Sequence, residues 1–423
     1  MIRAVIFSVF IFAANGFCAE VELPRISHEQ NSPQWHKRND HLIPLEQERA
    51  AILELNQDRR ESNGGRTGKV SDIDRDGVPD SLDPSPFDWR ETGYSPFGVL
   101  EFLNWNHTWN SFKYNDAGLR KVVKLIKAAG VEYVRVDFGW QDLEAGKGVW
   151  DFAKYDNMVQ ILSQNNIRIL GVLSYSADWA GQTWNSPPRD DADFARYVSR
   201  VVGRYRDRVK YWEIWNEPDS PDYWKPQDEM VRYTRLLKRS YLAAKDADPS
   251  CKILLGGLTN GGCFALQNVY RNGGKDYFDI VNFHPFVNPF DSDCLDMIKI
   301  YYRNLKKIMA KYGDADKKIW FTEIGCPGVD KPRGQSAHWW EGRSPDEKQQ
   351  AEFVEKVYTQ LWDLEDVDKI FWAFFRDNQD HFYSGVDHFG LIRWDFSPKP
   401  GYQSYKRARA AWQASQRVST AEK

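Results

Sequence analysis

Two glutamates sit where a carboxylate pair could work together. One is Glu217 in Tyr211-Trp212-Glu213-Ile214-Trp215-Asn216-Glu217-Pro218, and the other is Glu323 in Trp320-Phe321-Thr322-Glu323-Ile324-Gly325. Each closes a short apolar run of the kind that forms a buried strand. Facing carboxylates are the equipment of glycosidic bond cleavage. One protonates the departing oxygen, and the other attacks the anomeric carbon or activates water. Like charges at close range raise the pKa of one member, and that member becomes the acid. By strand alternation Glu213 shares a face with Glu217 but lies deeper, as a supporting carboxylate.

The elements that must bring the two together are legible as an alternation. Strand candidates are 97–103, 133–138, 168–173, 209–215, 252–257, 280–283, 319–322 and 369–374. Amphipathic helical segments lie between and after them: 116–129, 152–165, 192–205, 229–248, 264–272, 295–312, 345–364 and 402–412. Ser344, Pro345 and Glu347 read as cap, first helical residue and capping-box partner of the seventh helix. This alternation makes the fold class α/β and predicts a (β/α)8 TIM barrel over residues 95–415. The rival, an open doubly wound sheet, lacks the glycine-rich turn after its first strand. In a barrel, chemistry belongs at the C-terminal strand ends, where both glutamates fall, on strands four and seven.

With Asn216-Glu217-Pro218 on strand four and a glutamate ending strand seven, the chain resembles the clan A glycoside hydrolases. These are retaining (β/α)8 enzymes. The run from Tyr211 to Pro218 is most similar to family 39, with family 5 the close rival. Family 39 xylosidases carry a β-sandwich after the barrel. About a dozen residues follow Trp412, so none is expected here. The resemblance implies Glu217 as acid/base, Glu323 as nucleophile and Asn216 as the partner of the sugar 2-hydroxyl. It implies Arg135 against the nucleophile, with a structural pair to Asp137 or Glu213 as the other reading. It implies Trp372, in strand eight, as the floor under the cleaved sugar. It also implies β-linked substrates and a polysaccharide or oligosaccharide partner. His284, ending strand six, suits a bond to the nucleophile or to a substrate hydroxyl. Glu101, ending strand one, suits a distal subsite.

Composition fits that reading. Lys and Arg number 57 against 60 Asp and Glu, a net charge of −3 that excludes a basic nucleic-acid binder. Aromatic residues reach 15%, with 18 tryptophans, more than a core alone usually asks for. Trp140, Trp179, Trp184, Trp215, Trp224, Trp339 and Trp340 fall in or near the loops after the strands, as candidate sugar platforms. The long insertion 328–343, carrying Trp339 and Trp340, is expected to shape one wall.

Upstream of the barrel, Arg3 followed by the apolar run Ala4–Ala14 and small residues at Ala14, Gly16 and Ala19 reads as a secretory signal peptide, residues 1–19. Cleavage fits after Gly16, Cys18 or Ala19. Phe17 argues against lipidation of Cys18. The expected destination is secreted or periplasmic, and no later run is apolar enough to span a membrane. Residues 20–70 read as a polar extension. In 71–88, Asp72, Asp74, Asp76, Asp80 and Asp83, with Gly77 at the turn, resemble one thrombospondin type 3 calcium repeat. Calcium there would be structural, and the two-carboxylate chemistry needs no cofactor. An oxidising destination allows disulfides among Cys251, Cys263, Cys294 and Cys326. Cys263–Cys294 is the favoured pairing and Cys326 the other candidate partner. Three other uses of this framework stand as alternatives. They are a transglycosidase on the same residues, a non-catalytic carbohydrate-binding barrel, and a polysaccharide lyase, which would need a base placed for C5 proton abstraction.

Overall fold

The computed structural model describes residues 95–105, 114–260, 262–330, 344–362, 364–378 and 386–421. The leader, the extension, the calcium-type loop from Asp72 to Asp83, and Trp339 and Trp340 lie outside them. Eight parallel strands make the barrel: β1 (Phe97–Leu100), β2 (Tyr133–Asp137), β3 (Arg168–Leu173), β4 (Tyr211–Asn216), β5 (Lys252–Gly257), β6 (Val281–Phe283), β7 (Ile319–Ile324) and β8 (Val367–Ala373). They run β5-β4-β3-β2-β1-β8-β7-β6. Bridges Leu254–Ile280 and Leu258–Phe283 close the ring between β5 and β6.

Each long helix follows its strand as the periodicity predicts, within about two residues at most ends. In α1 (Asp116–Ala129), Leu119, Val122, Val123 and Ile126 are buried at three- and four-residue spacing. Asn115 caps its first turn, and Gly130 ends it in the left-handed region at φ 79°. The helix Glu347–Gln360 begins two residues later than expected. Asp346, not Ser344, is its cap, and Gln349 closes the box. Glu347 is drawn instead to Arg393, at 2.6 Å. A small hairpin, Glu144–Gly146 against Val149–Trp150, interrupts the second βα unit without any warning in the alternation pattern.

The barrel is plugged at its N-terminal end by Tyr133, Leu170, Leu254, Ile280, Trp320 and Phe371, with Tyr211 against them. Two residues further along four of these strands the interior turns polar, at Arg135, Glu213, Asn282 and Thr322, all at most 3% exposed. Apolar packing below thus carries a charged layer just under the mouth. Among the described residues several tryptophans are core residues. Trp140, Trp212, Trp215, Trp224, Trp320 and Trp372 are all under 2% exposed. Cys251, Cys263, Cys294 and Cys326 are buried thiols, so the expected Cys263–Cys294 disulfide is not formed. Cys326 lies near Cys294 instead, and burial pushes its thiol pKa up. Among the described residues no helix is long and apolar enough to cross a membrane.

Candidate active site

Local backbone distortions deliver both glutamates to the mouth. At the end of β4, Trp215 and Glu217 take left-handed conformations, φ 69° and 45°, costly for residues with side chains. Packing holds them there. Trp215 is buried edge-on against Trp224 and donates its Nε1–H to Tyr223 O at 2.8 Å. The Glu217 N–H donates to Gly257 O at 3.1 Å. On β7 the distortion is a bulge. Ile370 to Trp372 of β8 stand against Phe321 to Ile324 of β7, so β7 carries one extra residue. That residue breaks the alternation of Trp320 and Thr322 and lets Glu323 face the mouth as well.

Arg135 ties the layer together. Its Nε and Nη2 donate to the two oxygens of Glu213 at 2.7 and 2.9 Å, its Nη1 to Glu323 at 2.6 Å, and Nη2 also to Asn216 Oδ1 at 2.7 Å. Both contacts read for Arg135 in the sequence are thus made, because one guanidinium reaches Glu213 and Glu323 together. Glu213 is fully buried and also accepts the Gly257 N–H at 2.9 Å. His284 bonds Glu217 through Nδ1 at 2.9 Å and stands 4.0 Å from Glu323. It is thus a partner of Glu217 more than of Glu323. Its other nitrogen meets Thr322 Oγ1 at 2.9 Å.

The electrostatics separate the pair. Burial, the charge of Glu323 and that of Asp219 push Glu217 well above the usual carboxylate range. Burial raises Glu323 too, but the Arg135 guanidinium opposes it, and the shift is smaller. One oxygen from each glutamate and a nitrogen of His284 lie within 4.8 Å of one another.

The pocket beside these groups is lined by Glu101, Arg135, Asp137, Asn216 and Glu323, with Phe102, Tyr175, Tyr223 and Phe374 as its aromatic faces. Several expected sugar contacts are elsewhere. Trp372 is completely buried, its Nε1 donating to Phe389 O at 2.9 Å, and Phe374 rather than Trp372 reaches the pocket. Trp140 is also in the core. It stacks on Tyr197 and donates to Glu144 at 2.7 Å. Trp179 is half-buried and outside the pocket, bonded to Glu144 O at 2.8 Å. Glu101 borders the pocket, where the distal-subsite reading put it, and its two oxygens accept from Tyr114 Oη at 3.0 Å and from the Arg376 N–H at 2.8 Å. Asp137, Tyr175, Tyr223 and Phe374 were not singled out from the sequence as pocket residues. Asp137 shares the phase of Tyr133 and Arg135, so alternation alone places it at the mouth. Burial pushes its carboxyl up to about 6.

Comparison with known proteins agrees with this geometry. The model of the cellulase family, glycosyl hydrolase family 5, matches residues 93–366, well over half the chain. A curated relative, endo-1,4-beta-xylanase 3 of Hypocrea jecorina, is 30% identical over 131 residues, 27% of this chain and 35% of the relative. Alpha-L-iduronidase of Drosophila melanogaster is 24% identical over 182 residues, 38% of this chain and 28% of the relative. The chain thus spans about a third of the length of the curated relatives it matches. Among solved structures, a family 39 glycoside hydrolase from the gut symbiont Bacteroides cellulosilyticus WH2 is 25% identical. The match covers 74% of this chain and 63% of that one, with a TM-score of 0.60. A family 5, subfamily 18 enzyme from Streptomyces cattleya, in complex with GlcNAc, shares the fold at 13% identity, covering 75% and 80%, TM-score 0.58. Families 5 and 39 are the two to which the Asn-Glu-Pro motif pointed.

Proposed function

The chain belongs to the cellulase family, glycosyl hydrolase family 5, and is an O-glycosyl hydrolase, and from that premise we propose that it cleaves β-linked glycans by a retaining double displacement. The observation that carries this reading is the closeness of Glu217 and Glu323, one oxygen of each lying within 4.8 Å of the other. Such closeness supports the short carboxyl–carboxyl spacing of retaining pairs, about 5–5.5 Å, over the wider spacing with which inverting pairs make room for water. Glu323, its ionised form favoured by Arg135, attacks the anomeric carbon while Glu217 gives its proton to the leaving oxygen. Glu217 then takes a proton from water, which releases the sugar with its configuration kept. Because Asn216 turns its oxygen to Arg135, its amide nitrogen is the atom left for the sugar 2-hydroxyl. A bond there strengthens as the transition state forms.

The local likeness to a xylanase makes xylans and aryl β-xylosides the first substrates to try. The leader supports a secreted or periplasmic destination, and the loop from Asp72 to Asp83 a structural calcium ion. The test compares wild type with Glu323→Ala and Glu217→Ala on a panel of polysaccharides and aryl β-glycosides, with azide added to the variants. Glu323→Ala should be inactive on a cleaved substrate and rescued by azide to a glycosyl azide of inverted configuration. Glu217→Ala should be rescued with retention. Wild-type product of inverted configuration would refute the mechanism. Transfer of the sugar to a glycan acceptor in preference to water would show a transglycosidase on the same residues.

A further inference from the structure

Below the catalytic pair lies a chain of contacts that the two-carboxylate mechanism does not require. Asn282 and Thr322 are fully buried and His284 is 1% exposed. The Thr322 hydroxyl donates to Asn282 Oδ1 at 2.6 Å, and Thr322 Oγ1 lies 2.9 Å from His284 Nε2. A hydroxyl has one proton to give. Since it goes to Asn282, Thr322 must accept from the ring, so Nε2 carries hydrogen. Turning the ring over would put carbons in the places of Nδ1 and Nε2 and give up both bonds; Gly257 leaves the ring its room, since a Cβ there would stand 1.9 Å from Nε2. Its other nitrogen, Nδ1, is 2.9 Å from Glu217 Oε1.

Resting on Glu217 as the acid/base, we propose that Asn282 and Thr322 are positioning residues that lock His284 as its Nε2–H tautomer, so that bare Nδ1 accepts a hydrogen bond from protonated Glu217. The relay thus favours the loaded acid before substrate arrives. During cleavage Glu217 passes its proton to the glycosidic oxygen and later regains one from water. His284 keeps its Nε2–H throughout.

The surroundings agree. Burial and the Arg135 charge on β2 hold His284 neutral, well below its ordinary pKa. Glu323 on β7 and Asp219 and Asp222 on the loop after β4 all raise Glu217. Buried Tyr175 and Tyr223 stay neutral, far above their ordinary range. No cation faces Glu217 among these groups except Arg135, which already serves Glu213, Glu323 and Asn216.

Two measurements on the full chain test this. The first is 15N NMR of histidine-labelled wild type, with His284 assigned by comparison with His284→Gln. The inference requires protonated Nε2 and bare Nδ1. A Nδ1–H tautomer would overturn it, showing the Asn282 amide turned round, with its Nδ2, which has no partner in the structure, donating to Thr322. The second is the pH profile of kcat/KM. In Thr322→Val the ring loses its acceptor and turns its hydrogen to Nδ1, which favours ionised Glu217. The alkaline limb should fall by roughly one to two pH units. Thr322→Ser, which keeps the hydroxyl, should restore it. A limb unmoved in an active Thr322→Val enzyme would also overturn the inference. Should the valine variant not fold, the wild-type spectrum alone decides. The reading of Glu217 as acid/base fails separately, if Glu217→Ala keeps full activity without azide.

Discussion

Arg135 divides one positive charge between two carboxylates, and weakening either side should move Glu323 in opposite directions. Consider Glu213→Gln. Glu213 Oε1 accepts from Arg135 Nη2 and Gly257 N, and Oε2 from Arg135 Nε. The glutamine amide sits best with its nitrogen at the Oε2 place, where one charge-assisted bond is lost and two donors meet. Disrupting such a buried pair costs about 3–5 kcal/mol. That is tolerable against a total stability of about 5–15 kcal/mol. The negative charge of Glu213, which helps raise Glu323, is gone as well. A unit charge acting across the width of a guanidinium at an effective dielectric constant of about 20 is worth roughly 2 kcal/mol, or roughly 1.5 pH units. The acid limb of kcat/KM, which under the proposed mechanism reports Glu323 in the free enzyme, should therefore move down by about that much. Arg135→Lys should do the reverse. A lysine ammonium cannot span both carboxylates, and fully buried Glu213 holds it more strongly than Glu323, which is 16% exposed. Glu323 then loses its 2.6 Å partner, and its limb should rise. Urea unfolding gives the stability term and pH–rate profiles the shifts. General loosening of the site would move both limbs the same way, so two shifts of one sign would refute the shared-cation account.

Other predictions concern the frame around the site. Lys399, 1% exposed, bonds Asp377 at 2.7 Å and the carbonyls of Gly328 and His388. Asp377→Asn should cost about 3–5 kcal/mol in urea unfolding, and Asp377→Leu with Lys399→Met should recover most of it. Burial lifts the Asp377 carboxyl to about 7, so the stability it contributes is full below its unfolded value near 4 and is lost as pH rises through 7. Wild-type Tm should fall over that window, and by less in the Leu/Met double variant. Trp140→Ala should lower stability by about 3–5 kcal/mol while KM changes little, since Trp140 packs under the loop and not in the pocket. A large rise in KM at unchanged stability would contradict its placement. Thiol titration should find Cys251, Cys263, Cys294 and Cys326 slow to react in the native protein and all four reactive in denaturant without reductant. A deficit of two would reveal a disulfide.

What the sequence disclosed about this site follows from which signals are local. Glu217 was legible because Asn-Glu-Pro stands at the end of a strand, and the same strand count placed Glu323 on β7. Alternation then accounts for the polar layer of Arg135, Glu213, Asn282 and Thr322, each two residues beyond the aromatic and aliphatic plug. Glu323 is out of phase with Thr322 and faces the mouth only because β7 gains a residue against β8. A bulge of that kind depends on the partner strand, and no window of β7 alone contains it. The tryptophans misled for a related reason. Their number suggests flat faces for sugars, but which way an indole points depends on the neighbouring loops. Trp140 turns inward because Glu144 of the unforeseen hairpin takes its N–H. Trp372 turns inward because the loop after β8 brings Phe389 O beneath it. Tyr175, Tyr223 and Phe374 occupy the pocket in their place. Composition reports how much aromatic surface a chain owns, and only packing decides how much of it a substrate can meet. In this barrel the candidate carboxylate pair was readable from two short runs of sequence, whereas the aromatic faces of the pocket were settled by contacts between segments far apart in the chain.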